Sequence, residues 1–162
     1  MIQINSLWDF ISILVIIGPY TAIYELLDGK VALMFGIILT MTIEKNVKRL
    51  TQTWYPAIFK RPDDARDCNI LNDGGPAGTR GGFPSGHMAV ASFFSNMLYF
   101  RQENRDYKTF MLYSIPSILM AIARYMKSCH NLAQILAGYL LGLGVSYGLY
   151  ALDKYYIKSK KD

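Results

Sequence analysis

The chain has only two histidines, and each stands among residues that handle anions. The first, His87, closes the stretch Pro84-Ser85-Gly86-His87, and an apolar run starts at Met88. Ser85 is a good helix N-cap, with Gly86 and His87 in the first turn. A helix start points free N–H groups outward and carries partial positive charge, so it suits an ordinary cap or a bound phosphate. The second, His130, follows Arg124 with five residues between them. Gln134 lies four positions further on, so it shares a helix face with His130. A third group is Lys60-Arg61-Pro62, with Lys48 upstream. Arginine grips phosphate through a planar fork of donors, and histidine, with an ordinary pKa of about 6.5, can act as nucleophile or proton carrier. Together these residue types are those of phosphoryl transfer, which needs cations around three equatorial oxygens and an in-line nucleophile.

Taken in order, the three groups resemble the type 2 phosphatidic acid phosphatase family of membrane phosphatases. Its pattern is Lys-x-x-x-x-x-x-Arg-Pro, then Pro-Ser-Gly-His, then Ser-Arg-x-x-x-x-x-His-x-x-x-Asp. Arg61-Pro62 matches the end of the first motif, Pro84 to His87 match the second completely, and Arg124 and His130 match the third. The resemblance covers roughly residues 45 to 152 of a chain read as a single membrane domain, 1–162. It implies that His130 attacks phosphorus to form a phosphohistidine, while His87 protonates the leaving alkoxide and then activates water. It implies a phosphate held by Arg61, Ser85, Gly86 and Arg124, with Lys60 or Lys48 supplying the remaining charge, and no metal or other cofactor. The chain departs from the pattern at Trp54, where the family has Lys, at Ala123 for Ser, and at Gln134 for Asp. A glutamine carbonyl can accept the histidine N–H but brings no charge, and its amide end would favour the other tautomer.

These residues need a scaffold, and the composition suits a membrane bundle. Apolar residues make up 52% of the 162 positions, and the net charge is +5. Five apolar runs, Trp8–Leu27, Val31–Ile43 (extendable to Val47), Met88–Phe100, Phe110–Tyr125 and Leu132–Leu152, predict an all-α bundle of about five transmembrane spans. Gly138-x-x-x-Gly142 and Gly144-x-x-x-Gly148 in the last run have the spacing that lets helices approach closely. The polar segment from Leu50 to His87 is a long motif-bearing loop between spans two and three, and its Trp54, Tyr55 and Phe59 suit a membrane interface. Counting spans puts every candidate residue on one membrane face. The opposite face, with Arg101, Arg105, Lys108 and the C-terminal lysines, is weakly favoured as cytoplasmic.

The leading apolar run has no basic region before it and reads as uncleaved. Cys68 and Cys129 are too few for a disulfide framework or a cysteine zinc site; both fall on the motif-bearing face and could pair if that face is oxidising, but free, packed thiols are expected. The acids Asp63, Asp64, Asp67 and Asp73 lack calcium-loop spacing and read as a solvated loop. The expected activity is metal-independent hydrolysis of a lipid phosphate, either a phosphatidate-like monoester or a prenyl diphosphate. Expected partners are membrane lipids and that substrate, not nucleic acid. The alternative is a degraded relative that binds anionic lipid or builds a membrane. The compact form and the loop RPDDARDCNILNDGG loosely resemble family members encoded by large DNA viruses, which would place the chain in a viral inner membrane with membrane or capsid partners. Otherwise the endoplasmic reticulum or a derived membrane is expected, with homo-oligomers left open.

Overall fold

The computed structural model describes residue 4 and residues 6–17, 31–55, 59–69 and 74–159, with side chains to 155. The second half of the first expected span, with Gly18-Pro19, lies outside the described residues, as does Asp73. Five helices are described: α1 (Leu7–Ile17), α2 (Ala32–Trp54), α3 (Gly86–Phe100), α4 (Tyr107–Met126) and α5 (Leu132–Ser159). Among the described residues there is no strand, only isolated antiparallel bridges at Lys60–Gly81 and Arg66–Pro76.

Local chemistry sets the helix ends. The Ser6 hydroxyl accepts from the Asp9 amide at 3.1 Å and donates to its carboxylate at 2.9 Å, opening α1. The Asp106 carboxylate accepts from the Thr109 amide at 2.8 Å and opens α4. α2 runs past the expected Val47 to Trp54, carried by polar residues and by the Glu44–Lys48 pair one turn apart. It stops at Tyr55, the residue before Pro56, where the α conformation is disfavoured. α5 extends beyond Leu152 to Ser159.

Two helices, α4 and α5, are long and apolar enough to cross a membrane. The other expected spans do not reach that standard among the described residues. α2 carries Glu44, Lys45, Lys48 and Arg49 in its second half. α3, with 15 residues, is about 22 Å long against a hydrocarbon layer of about 30 Å. α3 is apolar for another reason: it is the central helix, in contact with all four others and most extensively with α5, and Met88 to Met97 are all buried.

The outside of the bundle is apolar and its inside partly polar. Leu112, Ile115, Ile118 and Ile122 recur along the exposed face of α4, and Leu132, Leu136 and Leu140 along that of α5. Inside, the Ser92 hydroxyl donates to the Tyr139 carbonyl at 2.8 Å, and the Asn96 amide donates to the Ser92 carbonyl at 2.8 Å. Helices in lipid pack this way, through small residues and interhelical hydrogen bonds. Only the first glycine pair of α5 is used: a Cβ on Gly142 would lie 2.2 Å from the Ala89 carbonyl oxygen, and one on Gly138 would lie 2.5 Å from that of Ser85. Gly144 and Gly148 face open space.

The expectation of free thiols is corrected: Cys68 and Cys129 form a disulfide across 61 positions. The loop folds back over the end of α4, which brings the two together. A bridge of that span stabilises a fold by about 4 kcal/mol on the chain-entropy account.

Gly142→Ala should therefore destabilise the bundle by about 2–3 kcal/mol, because the backbone of α3 cannot yield to a methyl group. Gly144→Ala should be neutral or slightly stabilising. Thermal unfolding of both variants in detergent micelles checks the contrast.

Candidate active site

Three segments meet at the start of α3: the loop segment 59–61, the α3 N-terminus, and the turn between α4 and α5. The loop segment is held by the Arg61 amide donating to the Arg80 carbonyl at 3.0 Å and the Gly82 amide donating to the Phe59 carbonyl at 2.8 Å. The turn is made by Ser128, whose φ of 51° is left-handed and ends α4. The Cys129 and His130 amides then both donate to the Arg124 carbonyl, at 3.1 and 3.3 Å. The Ser85 amide donates to the Gln134 carbonyl at 3.0 Å, which sets the beginnings of α3 and α5 side by side.

His130 is 1% exposed. Its Nδ1 lies 3.1 Å from Gln134 Oε1, and its Nε2 lies 3.3 Å from Arg61 Nη1. The direction of the first contact follows from the network. Gln134 Nε2 donates to the Lys60 carbonyl at 2.7 Å, and a carbonyl only accepts. Oε1 therefore faces His130 and also accepts from the Asn131 amide at 3.3 Å. The Asn131 Oδ1 accepts in return from the Gln134 amide at 3.0 Å, completing a capping box at the start of α5. Nδ1 must carry the proton, and the Nε2 lone pair is left facing the cluster. Burial holds the His130 imidazole well below its ordinary pKa, reinforced by the charges of Arg61, Arg124 and Lys48 and opposed by the Gln134 bond. The ring is neutral at physiological pH.

The cations around it are short of acceptors. Arg124 has no exposed surface. Its Nη2 donates to the Cys68 carbonyl at 2.7 Å, while Nε and Nη1 have no hydrogen-bond partner among the described residues. Arg61 Nη1 donates to the Cys129 carbonyl at 3.2 Å, and its buried Nε is likewise unpartnered. Burial lowers the Arg61 pKa, Glu44 opposes the shift and Arg80 adds to it. Ser85 is the N-cap of α3 by position, but its hydroxyl makes no capping bond and is buried without a partner. Gly86 lies against the carboxylate of Glu44, which a Cβ would meet at 3.0 Å. Burial holds His87, half-buried in the first turn, well below its ordinary pKa, reinforced by the charges of Arg124, Arg61 and Lys48.

The structure thus brings Arg61, Ser85, Gly86, His87, Arg124, His130 and Gln134 together. The Lys60 side chain turns away, exposed and paired with Asp63 at 2.7 Å, and only its carbonyl takes part. Trp54 is 68% exposed, so position 54 does not face the cluster. Lys48 does: it is paired with buried Glu44 and its charge acts on both histidines. Glu44 was missed in the sequence, where it reads as one more charge on a polar helix end. The Asn131-x-x-Gln134 capping box has a sequence pattern of its own, independent of the family motif. Asp67 is occupied in its own loop, accepting from the Gly75 amide at 2.8 Å. Among the described residues no three His, Cys, Asp or Glu side chains gather as a metal site.

Among the described residues the chain is all-helical, and two histidines, buried Arg124, half-buried Arg61 and buried Ser85 gather about the start of α3. The sequence profile of the PAP2 superfamily, the type 2 phosphatidic acid phosphatases, matches residues 29–158, and the chain belongs to that family. No curated protein and no solved structure matches it.

Because His130 is kept neutral by the fold, the unfolded chain binds more protons below its ordinary pKa of about 6.5. That contribution to stability is complete above pH of about 6.5 and is lost as the pH falls below it. Thermal unfolding in detergent should show the melting temperature falling between pH of about 6.5 and 5, and His130→Gln should reduce that slope, the rest coming from His87, which burial lowers in the same way.

Proposed function

We propose that the chain is a metal-independent lipid phosphate phosphatase of an integral, multi-pass membrane protein type, working through a phosphohistidine on His130. The observation that carries this is the set of buried donors without partners: Arg61 Nε, Ser85 Oγ and Arg124 Nε and Nη1. Leaving such groups unpaired costs about 1–3 kcal/mol each, and more for charged ones, so the cluster is complete only with an anion of many acceptor oxygens. A phosphate group fits that description, at a helix start that favours it.

In this reading the Nε2 lone pair of His130 attacks phosphorus and the P–O bond to the leaving alkoxide breaks. Protonated His87 gives its proton to that alkoxide. His87 then takes a proton from water, whose oxygen attacks phosphorus as the P–N bond breaks, releasing inorganic phosphate. The incoming dianion supplies the negative charge that a protonated His87 needs beside Arg124, Arg61 and Lys48. Gln134 keeps the His130 proton on Nδ1 throughout. A lipid is favoured as substrate because a cavity of about 460 Å³, lined by Met88, Leu132, Ile135, Leu136 and Tyr139, adjoins residues next in sequence to His87 and Gln134. The apolar outward faces of α4 and α5 support seating in a bilayer.

Phosphate release from phosphatidate and from a prenyl diphosphate in mixed micelles, with chelator present, tests the proposal. Release should persist in chelator and vanish in His130→Ala. Arg124→Ala should weaken tungstate binding by roughly 10- to 100-fold, the loss of charge-assisted bonds in a desolvated site. Unchanged tungstate affinity in folded Arg124→Ala would refute the site. The uncharged Gln134 favours a second reading, a relative that binds anionic head groups without turnover. Tungstate binding with no phosphate release from any lipid would establish it.

A further inference from the structure

We infer that the Cys68–Cys129 disulfide is the positioning element of the anion cluster, holding in place the two backbone carbonyls on which Arg61 and Arg124 are set. The inference rests on the phosphate reading for what the cluster binds, but not for how the cluster is built. Each bridged cysteine supplies an acceptor to one arginine, and the pairing is crossed. Arg124, from α4, donates to the carbonyl of Cys68 in the loop at 2.7 Å. Arg61, from the loop, donates to the carbonyl of Cys129, after α4, at 3.2 Å. His130 is the next residue after Cys129, so the same bridge fixes the backbone that carries its ring.

The two guanidiniums are close enough to repel, and Arg61 acts on Arg124 as a like charge. That repulsion works against the seating of the loop on the end of α4, and Asp9 offsets part of it. Gln134 to the Lys60 carbonyl and Lys127 to the Asp67 carbonyl also hold the loop, but by single hydrogen bonds. The disulfide is the covalent tie, buried with Ala65 and Ala77, whose small side chains let the loop lie close.

Closing the bridge removes two protons and two electrons from the two thiols. Thiol–disulfide exchange supplies this: a donor disulfide accepts both and leaves as two thiols. The face bearing the site therefore belongs to a compartment that delivers such a donor, not to one that keeps thiols reduced.

The test reduces the folded, detergent-solubilised chain with a phosphine, removes the reductant, and confirms two thiols by mass. Tungstate affinity is measured by calorimetry, and the rate of carbethoxylation of His130 by diethyl pyrocarbonate is followed by peptide mass. Helix content is read by circular dichroism. With helix content unchanged, reduction should weaken tungstate binding roughly tenfold, about one charge-assisted hydrogen bond, and speed His130 modification several-fold. Reoxidation should restore both, whereas the double variant Cys68→Ser/Cys129→Ser should stay in the reduced state. If neither quantity moves at full reduction, the inference is overturned. It is equally overturned if helix content is lost together with them, for the bridge is then a staple of the whole fold. If even the oxidised chain ignores tungstate, the phosphate reading fails, and the accessibility of His130 still decides the role of the bridge.

Discussion

A guanidinium with no exposed surface must be met by acceptors or by an anion, because an uncompensated buried charge costs several kcal/mol. Arg124 is in that position, with one carbonyl bound and two N–H directions empty. Much of the nearby structure is organised about this one residue. Its own carbonyl receives the Cys129 and His130 amides, so its backbone directs the chain into the histidine. Its side chain receives the loop through Cys68. One turn beyond, buried Lys127 pairs with Asp9 of α1 and donates to the Asp67 carbonyl, bracing the first helix and the loop against the same helix end. A stability argument alone would replace such a charge with an apolar residue. Its place in a cluster of donors is what the proposed phosphate site accounts for.

The packing of α3 on α5 turns that local arrangement into a two-histidine site. Gly138 and Gly142 let α5 lie on the backbone of α3, at the Ser85 and Ala89 carbonyls. That close approach puts the two helix starts within one hydrogen bond of each other, Ser85 amide to Gln134 carbonyl. His87 and His130, far apart in sequence, then arrive at the same end of the bundle. Both helix starts point N–H groups and partial positive charge toward that end. The small residues of α5 are thus as much a part of the site's geometry as the side chains that line it.

The motifs were legible because each occupies a short segment whose spacing is its meaning: Pro-Ser-Gly-His needs only a helix start, and Arg124 with His130 needs only one turn. The apolar runs gave the cores of the helices, but their ends depended on features that hydropathy does not carry. α2 continued to Trp54 through an ion pair, and α3 was apolar through burial by its neighbours. The cysteine pairing was left open by the sequence, since it depends on an oxidising compartment and on the folded loop that brings together partners 61 positions apart. The direction of Lys60 and the part played by Lys48 were illegible for a related reason. A basic residue beside a motif joins the site or leaves it according to whether the nearest carboxylate is Asp63 at the surface or Glu44 inside.

Gln134 shows how a departure from a family pattern is absorbed. A carboxylate at this position would turn an acceptor toward the Lys60 carbonyl, which is itself an acceptor, and would lose the 2.7 Å bond that ties the Arg61 segment to α5. The glutamine makes that bond with its NH₂ group, and doing so obliges its oxygen to face His130. In the serine protease triad, exchanging the orienting Asp for Asn lowers turnover about 10⁴-fold because the amide selects the wrong tautomer. Here the Lys60 carbonyl removes that choice, so the proton stays on Nδ1 and the lone pair on Nε2. What the amide cannot supply is the negative charge that a carboxylate would bring to the imidazole. The carboxylate present inside the cluster is Glu44, which acts on Arg61 and is paired with Lys48. Orientation of the ring is thus supplied by a glutamine on α5, while the glutamate on α2 sits with the cations Lys48 and Arg61.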